Sequence, residues 1–231
     1  MTKHEFFEQL EARIREYDLL CHPFYRAWAA GELTREDLRE YGLQYLQHVE
    51  AFPGYLQEFA MRAEDKGVRR AVLANRDEEA GANGSRPHAE LWLDFVEGMG
   101  GERSSRGAAT IPEIEGLVAW FDQVARRGAL EEALAAFYAY ESQVPRVAGE
   151  KARGLRERYA ADEKTCWYFT LHTTADVYHA RVWRNQLEKL IEQDPAAAGR
   201  ALVSAECAAK MLWKALDGIE RRRAARRAVL N

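Results

Sequence analysis

Residues 171–179, Leu-His-Thr-Thr-Ala-Asp-Val-Tyr-His, place His172, Asp176 and His179 at steps of four and three. An α-helix, at 3.6 residues per turn, brings such positions onto one stripe, so the spacing predicts a helix on which two imidazoles and a carboxylate converge. One rigid helix then offers three nitrogen and oxygen donors suited to iron, manganese or zinc at little ordering cost. The same H-x3-D-x2-H pattern also describes a polar helix face with two solvated histidines. The rest of the chain has to decide between the two.

The apolar positions recur at helical steps almost throughout. Phe6, Phe7, Leu10, Ile14, Tyr17 and Leu20 define a first helix over residues 3–20, His22-Pro23-Phe24 breaks it, and a short second helix carrying Tyr25 and Trp28 closes at Gly31. Thr34 to Asp37 is a capping box for a helix to about Phe52, where Pro53 interrupts before Tyr55 to Arg62 resumes. Further helices follow over 67–80, from His88 through Val96, over 112–127, over 130–153 with a kink at Pro145, over 162–193 and over 197–226. The stretches 81–87 and 98–111 read as loops. No convincing period-2 strand, internal repeat or linker intervenes. The expectation is all-α: a single domain over residues 1–231, a bundle of about seven or eight helices with a basic C-terminal tail.

At 231 residues, 47% hydrophobic and 30% charged, the chain is an ordinary globular one, and a formal charge of −4 gives no reason to expect nucleic acid. The run Arg221 to Arg227 suits the end of a helix as a solvated tail. No stretch approaches the roughly 18 consecutive apolar residues of a membrane helix. Met1 to Glu5 lacks a secretory signal, so the expected location is cytoplasmic, with Cys21, Cys166 and Cys207 as reduced thiols.

Glu141 lies among Phe137, Tyr138, Val144 and Pro145, on the side of its helix that should be buried, where a lone carboxylate is costly unless paired or metal-bound. Glu78 ends one helix and His88 begins the next, so the loop between them can fold the two donors together. With His172, Asp176 and His179 they make three histidines, two glutamates and an aspartate, a fair ligand set for two carboxylate-bridged metals in a helical bundle.

Blocks spanning nearly the whole chain are familiar: His22-Pro23-Phe24-Tyr25-Arg26-Ala27-Trp28 with Gly31 to Thr34, Ala51-Phe52-Pro53, Asp77-Glu78-Glu79, and His88-Ala89-Glu90-Leu91-Trp92. Tyr140 to Arg146 with Glu150 to Gly154, then Tyr168 to His172 with Ala175 to Ala180, complete them. With these the chain resembles the CADD-like branch of the haem-oxygenase-like fold, a family related to the pyrroloquinoline-quinone synthase and TenA proteins and linked to folate metabolism. The resemblance implies a dinuclear site, Fe/Fe or Fe/Mn, bound by Glu78, His88, Glu141, His172, Asp176 and His179. Glu79 is the alternative to Glu78, because the following loop is longer than is usual in the family. Glu78 is favoured as the first glutamate of the family's Asp-Glu-Glu block.

The resemblance further implies an oxygenase that makes p-aminobenzoate for folate, using dioxygen, an external reductant and a tyrosine of its own chain as the ring source. That tyrosine is Tyr25 by resemblance, with Tyr41 and Tyr140 near the site and Lys151 as the supplier of nitrogen. Taken by themselves, Tyr25 also reads as a core aromatic, and Lys151 as a surface residue paired beside Glu150. Two other functions stay open: a haem-oxygenase-like di-iron oxidase acting on a separate amino acid or fatty acid, and a non-enzymatic helical binding protein. Relatives of this fold are commonly dimers, so a homodimer is expected.

Overall fold

The computed structural model describes residues 1–107 and 109–230, which contain ten α-helices and no strand. They are α1 (Lys3–Arg15), α2 (Pro23–Ala30), α3 (Arg35–Arg62), α4 (Lys66–Glu79), α5 (His88–Gly98), α6 (Pro112–Arg127), α7 (Leu130–Glu141), α8 (Val144–Tyr159), α9 (Glu163–Gln193) and α10 (Ala197–Leu230).

Local chemistry sets their starts. Thr2 with Glu5, and Thr34 with Asp37, form capping boxes for α1 and α3. Asp65 and Asp162 cap α4 and α9. His22 caps α2 through Nδ1, which accepts from the Phe24 N–H at 3.1 Å, Pro23 takes the first helical position, and Gly31 ends the helix at φ 75°. This short helix presents Tyr25 to the interior.

Two prolines behave differently from the expectation. Pro53 leaves α3 unbroken over 28 residues: Val49, Phe52, Tyr55 and Leu56 are buried on both sides of it, and their packing holds the helix through the lost hydrogen bond. The single helix expected over 130–153 is two, α7 and α8, separated at Ser142-Gln143. Gln143 stitches the break, its Oε1 accepting from the Leu19 N–H at 3.1 Å and its Nε2 donating to the Ala139 carbonyl at 3.2 Å. Pro145 therefore sits in the first turn of α8, where its missing N–H costs nothing.

α7 is buried on nearly every face and is the central strut, packed between α9 and α10. α3 packs against α4, α5 and α6, and α8 against α9. The C-terminal arginines are anchored where a solvated tail was expected: Arg221 pairs with Glu113 at 2.7 Å, Arg222 with Glu40 at 2.8 Å, and Arg226 with Asp37 at 3.0 Å. No helix among the described residues is long and apolar enough to cross a membrane.

Candidate metal centre

α9 buries Thr165, Tyr168, Phe169, His172, Asp176, His179 and Trp183 as one stripe, so the three donors expected of it do face inward together. α7 ends on Glu141 and aims it at that stripe, α4 ends on Glu79, and α5 begins on His88. The donor atoms gather in two overlapping buried groups, Glu79 with His88 and His172, and Glu79 with Glu141, Asp176 and His179, each within 4.8 Å.

Glu79, and not Glu78, is the carboxylate common to both groups. Val68, Val72, Asn75 and Glu79 form the buried stripe of α4, so the helix turns Glu79 inward at 5% exposure and leaves the Glu78 side chain 53% exposed. Glu79 Oε2 lies 2.8 Å from His88 Nδ1, and Oε1 lies 3.7 Å from His172 Nε2. Glu78 reaches the cluster from its rim, accepting from His179 Nε2 at 2.9 Å. That bond orients the ring and turns Nδ1 toward Asp176 Oδ1 at 3.2 Å and Glu141 Oε1 at 3.5 Å. His172 is oriented likewise: its Nδ1 donates to the Tyr168 carbonyl at 2.7 Å, which frees Nε2 for the centre.

Asn75 donates to Glu141 Oε1 at 2.8 Å and the Trp183 indole donates to Glu141 Oε2, so Glu141 is fixed by two donors. Sequence reasoning passed over both. Trp183 stands four residues beyond His179 and Asn75 four before Glu79, each on its ligand's own stripe, and that spacing was the available signal.

The donor set fits two transition-metal ions. Asp176 Oδ2 is buried without any hydrogen-bond partner, and His88 Nδ1, though 2.8 Å from Glu79, is out of line for a hydrogen bond. Lone pairs left facing one another in a dry interior are costly unless a cation lies between them. Protons also show the pull of the cluster. Burial alone would lower both imidazoles, yet Asp176 and Glu79 bring His172 up to about 9, and Asp176 and Glu141 bring His179 up to about 11. Burial would raise Glu79, but His88 and His172 hold it well below the usual carboxylate range; for Glu141, burial prevails and raises it.

Beside this centre lies a second constellation. Lys151 is 7% exposed and without a carboxylate; its Nζ donates to the Tyr41 hydroxyl at 2.5 Å, and Tyr25 and Tyr41 share a hydrogen bond of 2.9 Å. Nζ sits 4.4 Å from the Tyr25 ring centroid and 4.8 Å from that of Tyr41. Burial holds the Lys151 amine well below its ordinary value and raises both phenols, favouring the uncharged form of each. A cavity of about 30 Å³ adjoins Tyr25 and Lys151, and one of about 10 Å³ adjoins Glu79, Glu141, His172 and Asp176. Tyr140 and Tyr168 wall both.

The helices and the two-ion donor set define the class, a haem-oxygenase-like metalloprotein. In agreement, the chain superposes on a Shewanella denitrificans domain of unknown function with a heme oxygenase-like fold at TM-score 0.81, 14% identity and coverage of 97% and 94% of the two chains. Residues 39–213 match the family described as iron-containing redox enzymes. Proteins named 4-aminobenzoate synthase are similar over most of their length: that of Nitrosomonas europaea is 35% identical over 95% of this chain and 92% of its own, and that of Chlamydia trachomatis 37% over 92% and 90%. The chain belongs to the iron-containing redox enzymes, on the branch of the 4-aminobenzoate synthases.

Proposed function

We propose that this chain makes p-aminobenzoate for folate from its own Tyr25, with nitrogen from Lys151, using dioxygen, an external reductant and an Fe/Fe or Fe/Mn pair. The relatives named 4-aminobenzoate synthase support the product. Bound by Glu79, His88, Glu141, His172, Asp176 and His179, the metals supply dioxygen activation.

The observation that carries the internal substrate is the size of the space beside the amine. Ligand pockets measure roughly 300–1,000 Å³, whereas the cavity at Lys151 is about 30 Å³, room for a water or two. A separate aromatic or fatty acid has nowhere to lie, while the Tyr25 ring is already there. Its substituents also correspond: the para relation of phenol oxygen to Cβ in tyrosine is that of nitrogen to carboxyl carbon in p-aminobenzoate. Burial lowers the Lys151 amine toward its uncharged, nucleophilic form, and its Nζ lies 4.4 Å from the centroid of that ring. Tyr41 bridges the two through its hydroxyl, fixing both.

Protein grown with ring-labelled tyrosine, loaded with metal, reduced and exposed to dioxygen should release labelled p-aminobenzoate at no more than one equivalent. Peptide mass analysis should place the loss at residue 25, and Tyr25→Phe should yield none. Many turnovers, or unlabelled product, would decide for an oxygenase with an external substrate.

A further inference from the structure

p-Aminobenzoate formed beside Lys151 has to leave an interior in which Leu19, Tyr25, Val147 and Lys151 are each at most 7% exposed. Behind one wall of that interior lies a larger surface pocket of about 320 Å³, set among α1, α7 and α8 and lined by Arg15, Asp18, Ser142, Gln143 and Arg146. The wall is one residue thick on each side. After α1, Asp18 lines the surface pocket and Leu19 the inner cavity; between α7 and α8, Gln143 lines the surface pocket and Val144 the inner cavity. Neither side is α-helical where they meet, since residues 16–18 lie between α1 and the turn Leu19–Cys21, and Ser142-Gln143 lies between α7 and α8. Two contacts join the sides: the Leu19 N–H donates to Gln143 Oε1 at 3.1 Å, and Arg146 donates to both Asp18 carboxylate oxygens, at 3.1 and 3.2 Å.

We propose that this surface pocket is the release site for p-aminobenzoate, which passes between Leu19 and Gln143 and is held outside by Arg15 and Arg146 through its carboxylate. It rests on the reading above that the product forms beside Lys151. The pocket has the size of a small-molecule site, roughly 300–1,000 Å³, which the inner cavity of about 30 Å³ lacks. Its charge suits an anion. Arg15 is exposed and in no ion pair among the described residues. Glu11, the acid on the lining other than Asp18, is already held by Arg184 at 2.5 Å and by the Tyr138 hydroxyl at 3.3 Å.

Arg146 grips Asp18 as a fork on a carboxylate, the geometry a benzoate can take over. Because Arg146 is 57% exposed, that pair is a weak tie and can exchange. When Asp18 swings away with Leu19, the wall opens and the fork is freed in one movement, so opening and capture are a single exchange of carboxylates. The drive runs outward, since an ionised carboxylate among buried rings is costly and one against two guanidiniums at the surface is not.

The first test is equilibrium dialysis of p-aminobenzoate against metal-loaded, unreduced protein, with p-toluidine, which lacks the carboxylate, as the control. One equivalent should bind and saturate by about 1 mM, with p-toluidine and the double variant Arg15→Ala, Arg146→Ala each weakened about tenfold. Both arginines are exposed, so their loss should leave the melting temperature unchanged. The second test uses ring-labelled protein after reduction and exposure to dioxygen, comparing total product after acid quench with product that passes a filter unquenched. Ser142→Trp, which fills the pocket, should keep the acid-quenched total and slow arrival in the filtrate about fivefold or more. Binding untouched by loss of both arginines, or filtrate product at the wild-type rate from a folded Ser142→Trp, overturns the release site. Unlabelled product removes the reading of Tyr25 and leaves the dialysis result standing; labelled product with unaltered binding removes the release site alone.

Discussion

Replacing Glu79 and Glu78 in turn separates the shared ligand from the residue that orients His179. Glu79→Gln removes one donor from each group, leaving His88 and His172 alone on one side and Glu141, Asp176 and His179 on the other. Two imidazoles without a carboxylate hold a divalent ion poorly, whereas two carboxylates and an imidazole still hold one. Metal content should therefore fall from about two ions per chain to about one. Glu78→Ala leaves every donor in place and removes only the partner of His179 Nε2. The stoichiometry at saturating metal should stay near two, with affinity for the weaker ion lowered roughly 10–100-fold, about 1.4–2.7 kcal/mol. Elemental analysis gives the first quantity and competition against a chelator the second. A Glu79→Gln protein that keeps both ions at wild-type affinity, beside a Glu78→Ala protein that loses one, would refute the assignment.

Two further outcomes follow from the same geometry. Metal must displace the protons on His172 and His179, whose values stand at about 9 and about 11, so affinity should rise with pH between 6 and 9 and calorimetry in buffers of different ionisation heat should show proton release. For chelator-treated protein the sign is opposite: both imidazoles are raised above their ordinary 6.5, their contribution is complete below that pH, and it is lost as pH climbs through about 9 and then 11. That protein should melt lower at pH 9.5 than at pH 7. Lys151→Met exchanges a buried amine, whose charged form burial already disfavours, for a chain of similar length, so stability should change by under about 1.5 kcal/mol in a thermal melt while p-aminobenzoate disappears; product from this variant would return Lys151 to a packing role.

The stripe on α9 was legible because ligand spacing and core periodicity coincide there: His172, Asp176 and His179 occupy the face that Phe169 and Trp183 bury. Glu141 was legible as a carboxylate inside an apolar run. The choice between Glu78 and Glu79 failed on neighbouring acids at a helix end, where matching the block Asp77-Glu78-Glu79 by identity set aside the helical phase running from Val68 to Asn75. Lys151 beside Glu150 looked like a surface pair, yet adjacent helical residues point about 100° apart. Glu150 turns outward to Arg153 at 2.7 Å, while Lys151 turns in among the rings. Pro53 and Pro145 were read by local rules that take no account of what packs on either side of them.

If Tyr25 gives up its ring, the spent protein carries a defect that stability can report. The side chain is 5% exposed and packs on Phe24, Trp28 and Tyr41, with Lys151 over its face. Removing a ring from such a site costs about 3–5 kcal/mol, as large-to-small core substitutions do. At about 2–4 °C per kcal/mol for a chain of this size, the melting temperature should fall by about 6–20 °C. The enlarged space also leaves Tyr41 and Lys151 bonded only to each other, so no new hydrogen bond offsets the loss. Calorimetry on metal-loaded protein before and after exposure to dioxygen should show a second, lower transition whose area grows with the yield of p-aminobenzoate. Unreduced or Tyr25→Phe protein, treated identically, should keep a single transition. A full equivalent of product with no lowered transition would mean that the ring at residue 25 never left the core.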